Sequence, residues 1–295
     1  MGTDIHSRVE VYRPRYAREG EDRGARWMLL EDEIFTNSWF DAESTYPPFR
    51  EQYNCIPLND RNYTLFALLA DVRNGRGFAG VVTGNPIIPL DQPRGVPSNA
   101  SHGWLEEVES WDVDMHSHTW FTLRELLEPN PLYDQPLIRR GVISATQYEH
   151  LKSTGERPKE WSGSITGPKI RTLTVDQYEA GERAETWSVD ELLEMKVKWL
   201  AAGKERGEDA VTTLSRLDKY VAEGRTYVEY IWEDSLRDST PQLHKMIAEL
   251  KRYADDLPPV GKLDHDDKPV GDEPGWHGHG GIAYDNIRVV LGFDN

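Results

Sequence analysis

Two periodicities divide this sequence, and their placement limits its fold more than any other feature. Strand signals sit at the two ends of the chain, as an alternation near its start and an apolar run at its close, and apolar residues recur at helical spacing between them. Ile5, Ser7, Val9 and Val11 alternate with Asp4, His6, Arg8 and Glu10, the pattern of a strand with one apolar face and a polar face that Asp4 and His6 share. The charged stretch from Tyr16 to Arg26 reads as a connection to a second strand at Trp27 to Leu30. The last third runs strand, helix, strand: Tyr227 to Trp232, Pro241 to Tyr253 with Thr240 as its cap, then Ile287 to Phe293. Strands need hydrogen-bond partners, and the terminal strands can supply them to one another. The expected class is therefore α+β, with one mainly antiparallel sheet formed from N- and C-terminal strands and helices packed on it.

Leu65, Leu68, Leu69 and Val72 fall on one helical face, which predicts a helix over Arg61 to Val72, capped by Asp60 and stopped by Gly75 and Gly77. From Phe78 to Trp104 the repeated prolines and glycines predict an irregular segment. Trp111 to Trp120 reads as extended. Thr122 with Glu125, Ser144 with Gln147 and Ser188 with Glu191 each form a capping-box pattern, the last opening a helix that runs to Gly203. Another helix is expected over Thr212 to Ala222, and a surface loop over Asp255 to Gly281. The chain reads as a single domain over residues 1–295, with residues 132–226 as a helical subdomain or insertion.

At 295 residues the chain is long enough to bury its own core. Its one cysteine, Cys55, has no internal disulfide partner and reads as a small core residue. No apolar run reaches the roughly 20 residues that span a bilayer, and the opening residues lack a secretory pattern, so a cytoplasmic protein is expected. Fifty-one acidic against thirty-four basic side chains give a net charge of −17, which opposes duplex nucleic acid and anionic membrane as partners. A local basic patch can still hold a small phosphorylated molecule. Tyr227, Tyr230 and Trp232 have strand spacing and read as sheet-face core.

Two short motifs carry candidate chemistry. If Asp112 to His118 is extended, Asp114, His116 and His118 share a face, and Asp4 with His6 forms a second unit of the same kind. Imidazoles and carboxylates together suit a divalent transition metal (zinc, manganese or iron), which would activate water and polarise a phosphoryl oxygen. The same histidines also suit, and more commonly are, partly buried imidazoles satisfied by nearby carboxylates and backbone. Asp294 joins the set if the last strand runs beside the first. Arg73, Arg76 and Arg94 stand beside glycines, where guanidinium and amide groups can cradle phosphate or simply cap a helix end. His277 and His279, near Asp264, His265, Asp266 and Asp267, form a weaker loop-borne candidate.

The opening Met1-Gly2-Thr3-Asp4-Ile5-His6, the segment Asn62 to Asn74, the Arg94-Gly95 turn, the run Asp114 to Trp120 and the close Phe293-Asp294-Asn295 occur in this order. In these motifs the chain resembles a family of uncharacterised proteins frequent in bacteriophage and bacterial genomes. The resemblance covers roughly the first 130 and the last 70 residues and implies a phage setting and the family's fold, with no activity attached. The residues themselves suggest a metal-dependent hydrolase of a phosphorylated small molecule or nucleotide, with Asp4, His6, Asp114, His116 and His118 on the metal and Arg73, Arg76 and Arg94 on phosphate. The alternatives are a non-catalytic phage accessory protein that binds a nucleotide signal or a host protein, and a virion component.

Overall fold

In a computed structural model, the structure describes the whole chain except residues 1–2, 14–15, 19–20, 24–25, 31–33, 36–54, 60, 159, 168, 223–225, 257–261, 264–268, 271–283 and 295. The fold is α+β. Its strands are β1 (Ile5–Arg13), β2 (Tyr16–Arg18), β3 (Glu21–Arg23), β4 (Arg26–Leu29), β5 (His116–Thr122), β6 (Pro136–Ser144), β7 (Arg171–Leu173), β8 (Thr226–Ser235), β9 (Lys262–Leu263), β10 (Pro269–Val270) and β11 (Ile287–Phe293). Its helices are α1 (Tyr63–Ala70), α2 (His102–Trp111), α3 (Leu123–Leu127), α4 (Ala145–Thr154), α5 (Val175–Glu179), α6 (Val189–Glu205), α7 (Ala210–Ala222), α8 (Leu236–Ser239) and α9 (Pro241–Asp256). Among the described residues no helix is long and apolar enough to cross a membrane.

The chain divides into two compact units, one of residues 1–80, 86–137 and 234–295 and the other of residues 81–85 and 138–233. The first is built on an antiparallel sheet in the order β4-β1-β11-β5, so the opening strand lies directly beside the closing one. Every residue of β11 is buried because both faces of this central strand are covered. On one face Ile5, Val9, Val11, Phe121, Val289, Leu291 and Phe293 meet the apolar sides of α1, α3 and α9. Each fully buried Leu or Phe here contributes about 1.5–3 kcal/mol of transfer free energy. Ser7, also on this face, is buried because its hydroxyl donates to the Leu58 carbonyl and accepts from the Leu58 amide. On the opposite face Trp104, Met115 and Val290 form a smaller core beneath α2.

Local chemistry sets the element ends. Asn62 caps α1 by accepting from the Thr64 and Leu65 amides, and the expected cap Asp60 lies outside the described residues. The helix stops at Asp71, whose left-handed backbone (φ 59°) turns the chain before the glycines expected to do so. The capping boxes at Thr122, Ser144 and Ser188 all form. One expectation is corrected between Phe78 and Trp120. Ser101 accepts from the Trp104 amide and starts α2, which runs to Trp111. A turn of 3-10 helix then covers Asp112–Asp114, and the strand begins only at His116.

The second unit holds the three-stranded sheet β6-β8-β7, with β7 parallel to β8, around Ile143, Tyr148, Leu173, Tyr178 and Val228. The middle of the chain thus carries strands as well as the expected helices. Its α6 and α7 touch closely: a Cβ on Gly203 would lie 2.2 Å from the Thr213 hydroxyl, so only glycine allows this approach.

Candidate functional site

Pairing of β1 with β11 brings the chain ends together and builds a polar cluster on the α2 side of the sheet. The Asp4 amide donates to Asp294 Oδ1 at 2.6 Å, and the Asp294 amide returns a bond to the Asp4 carbonyl at 3.2 Å. Asp294 Oδ2 lies 3.4 Å from His6 Nε2, while Glu107 of α2 approaches the other ring nitrogen, Nδ1, at 3.8 Å. Glu107 also pairs with Arg8 at 2.9 Å, and the Trp111 ring covers His6 with centroids 4.3 Å apart. Both imidazole nitrogens therefore face carboxylates. Asp4 is held differently: Arg61 donates to both of its oxygens, and this hydrogen bonding lowers the Asp4 pKa from its ordinary value.

His116 and His118 do not join this cluster as a pair. Register places Phe293 opposite His116 and Leu291 opposite Thr119, so a bulge leaves Ser117 and His118 facing the single residue Gly292. Ser117 takes a left-handed backbone (φ 52°) to make it. Phe293 and Gly292 alternate across the sheet, so the bulge sends His116 toward the α1 face and His118 toward the α2 face. His116 Nδ1 lies 2.9 Å from the Ser117 hydroxyl. Among the described residues, His116 Nε2 and His118 Nδ1 are buried with no hydrogen-bond partner. A Cβ on Gly292 would stand 2.4 Å from Met115 Sδ and 3.1 Å from His118 Nδ1, so the absent side chain is what seats both groups.

Burial, with His116 nearby, pushes the His118 pKa below its ordinary value of 6.5. The unfolded chain then binds a proton more readily than the folded one, so stability is undiminished above about pH 6.5 and falls as the pH drops below it. A His118→Gln variant is expected to lose less stability than the parent between pH 7 and pH 5.5, measured by urea denaturation across that range. Parallel pH dependences in the two proteins would refute this origin for the effect.

The expected five-residue metal set is thus not assembled. Asp114 sits exposed in the 3-10 turn, Arg61 occupies Asp4, carboxylates flank His6, and the bulge divides His116 from His118. Among the described residues no group of three or more His, Cys, Asp or Glu is gathered to hold a metal ion. The loop histidines His277 and His279, with Asp264 to Asp267, lie outside the described residues.

Nor do the arginines form a phosphate cradle. Arg73 donates to the Thr3 hydroxyl at 2.8 Å and lies over the Tyr63 ring. Arg76 donates to the Gly80 carbonyl. Arg94 bonds Asp91 and Glu125, both at 2.9 Å, and stacks over Trp120 and Phe121. Hydrogen bonding from Arg94 lowers the Asp91 pKa, as expected for a carboxylate in an ion pair.

Sequence reasoning missed Glu107, because its helix was not expected, and the buried pair Glu10–Arg288. Arg288 Nε donates to Glu10 at 2.6 Å, its other nitrogens bond Asn99, and its guanidinium lies 3.9 Å from the Trp27 ring centroid. Glu10 also accepts from the Ser101 amide at 2.6 Å, which ties the start of α2 to β1. A charged residue within an otherwise apolar closing strand was the available signal. Comparison with known proteins returns no matching family model, no matching curated protein and no matching solved structure.

Proposed function

We propose that this chain is a non-catalytic binding protein, an accessory protein of the phage setting suggested by its terminal motifs, and that it acts on a host protein through its acidic surface. The observation that carries the reading is that the expected metal donors already have protein partners: Arg61 bridges both oxygens of Asp4, and His6 lies between Asp294 and Glu107. The arginines support it, since each donates to a protein acceptor instead of converging on an anion. With a net charge of −17, the complementary partner is a protein with a basic face.

The metal-dependent hydrolase of a phosphorylated small molecule or nucleotide is the second reading. The buried, unpartnered His116 Nε2 and His118 Nδ1 are what favour it, since orphaned imidazole nitrogens are potential ligands. One pair of experiments separates the two. Incubation with nucleotides and phosphomonoesters in the presence of zinc or manganese is expected to return every compound intact. Purification from host cells at physiological ionic strength is expected to recover a stoichiometric basic protein that high salt releases. Turnover that disappears in His116→Ala and His118→Ala variants would establish the hydrolase instead.

A further inference from the structure

Helix α6 carries an apolar face that is exposed among the described residues. Val189, Leu193 and Val197 are 72%, 57% and 69% exposed, and the exposed Ala201 continues the same four-residue spacing. The opposite side, with Leu192, Met195, Trp199 and Ala202, is less exposed, and Gly203 meets Thr213 of α7. At about 100° per residue, the outward side therefore centres on Leu193, Val197 and Ala201.

The charges around this face have a direction. Asp190 and Glu194 lie exposed toward its first half and Lys204 in its last turn, while Lys196, Lys198 and Glu205 lie exposed along its edges. Glu194 and Lys198 already pair at 2.6 Å along the helix. The face is electrically balanced on a chain of net charge −17, so two copies can meet here without the repulsion that opposes contact elsewhere. A uniformly basic partner is repelled by one half of the face and a uniformly acidic partner by the other. A parallel copy sets acid against acid. An antiparallel copy matches at both ends.

We propose that two copies of this chain associate through this side of α6, antiparallel, with Val197 on the two-fold axis. Each residue then faces the one equally far from Val197 on the other side. Leu193 meets Ala201 of the second copy, Asp190 stands opposite its Lys204, Glu194 lies opposite its Leu200, and the long side chains of Lys198 and its Lys196 flank the axis, where they reach solvent. The contact is isologous, so every interaction occurs twice. The apolar area is small beside that of standard stable interfaces, so the association is weak and concentration-dependent.

Sedimentation equilibrium of the full chain over about 1–300 µM tests this, since a contact of this size is expected to show itself only in the upper part of that range. The expected mass rises from 33.8 kDa toward twice that value with concentration. Val197→Asp, which sets two carboxylates face to face on the axis, is expected to hold the chain monomeric throughout. Asp190→Lys and Lys204→Asp alone are each expected to weaken the dimer about 10-fold, and the double exchange to restore it to within about two-fold. Circular dichroism shows whether each variant keeps its helices, as expected of three exposed positions. A parent chain that stays monomeric to the highest concentration overturns the proposal. So does a dimer indifferent to Val197→Asp, or a double exchange no tighter than the single changes.

Discussion

Replacing Arg288 by methionine, or Glu10 by alanine, is expected to destabilise the first unit by about 3–5 kcal/mol, because each change strands a charge in the interior. The two side chains are 3% and 0% exposed, so solvent cannot reach whichever partner remains. Burial lowers the Arg288 pKa and Glu10 opposes that shift, which shows the guanidinium depending on its carboxylate. The double variant Glu10→Leu with Arg288→Met removes both charges and is expected to recover much of the loss. Recovery stays incomplete, since the Ser101 amide and the Asn99 side chain lose their partners at about 1–3 kcal/mol each. Urea denaturation of the three variants gives the comparison. A single variant that loses under about 1 kcal/mol would show that water enters and solvates the remaining charge.

This pair also shows where sequence patterning stops. The pairing of β1 with β11 was legible because both ends carry strand signals, alternating in β1 and apolar in β11, and each needs an edge to bond. Asp294 was placed beside Asp4 and His6 by the same reasoning, and it lies there. Glu10 follows the alternation of β1 onto the polar face, yet it is fully buried. Alternation assigns a face and says nothing of what covers it. The cover is α2, whose apolar residues Trp104 and Val108 are separated by one turn inside a segment dominated by acidic and polar residues. Its cap at Ser101 was readable, but the prolines before it argued for a loop. The missing helix hid both Glu107 and the burial of Glu10.

The side chains of the expected metal set lie apart for a related reason. A shared face for His116 and His118 assumes an uninterrupted strand, and one extra residue in a ladder reverses that assignment. The bulge at Ser117 depends on Gly292 across the sheet, where the missing Cβ leaves room for Met115 and His118. No local pattern within Asp112 to His118 records a glycine so distant in the chain. Arg94 likewise read as an anion ligand beside its glycine, whereas its carboxylate partner Glu125 is fixed by a capping box beyond the next strand. Local motifs locate chemistry-bearing side chains, and tertiary register decides whether they converge.

Trp104→Ala is expected to cost about 3–5 kcal/mol, because it empties the centre of the smaller core beneath α2. Trp104 is 0% exposed and, among the described residues, is the largest fully buried side chain, packed with Met115 and Val290. Its loss removes the apolar contact that seats α2 on the sheet, and α2 is also what carries Glu107 and Trp111 to His6 and Arg8. Stability and the polar cluster should therefore fail together: α2 amides should exchange faster with solvent, and Trp111 fluorescence should shift toward that of a solvated indole. Trp104→Phe keeps most of the apolar volume and is expected to lose less and to preserve the cluster. Glu107→Gln in a chain that keeps Trp104 separates packing from charge, because the charge change leaves the core beneath α2 intact. If Trp104→Ala unfolds the chain no more easily than Trp104→Phe, the helix is held to the sheet by its ion pairs and by the Ser101–Glu10 bond, and packing is secondary.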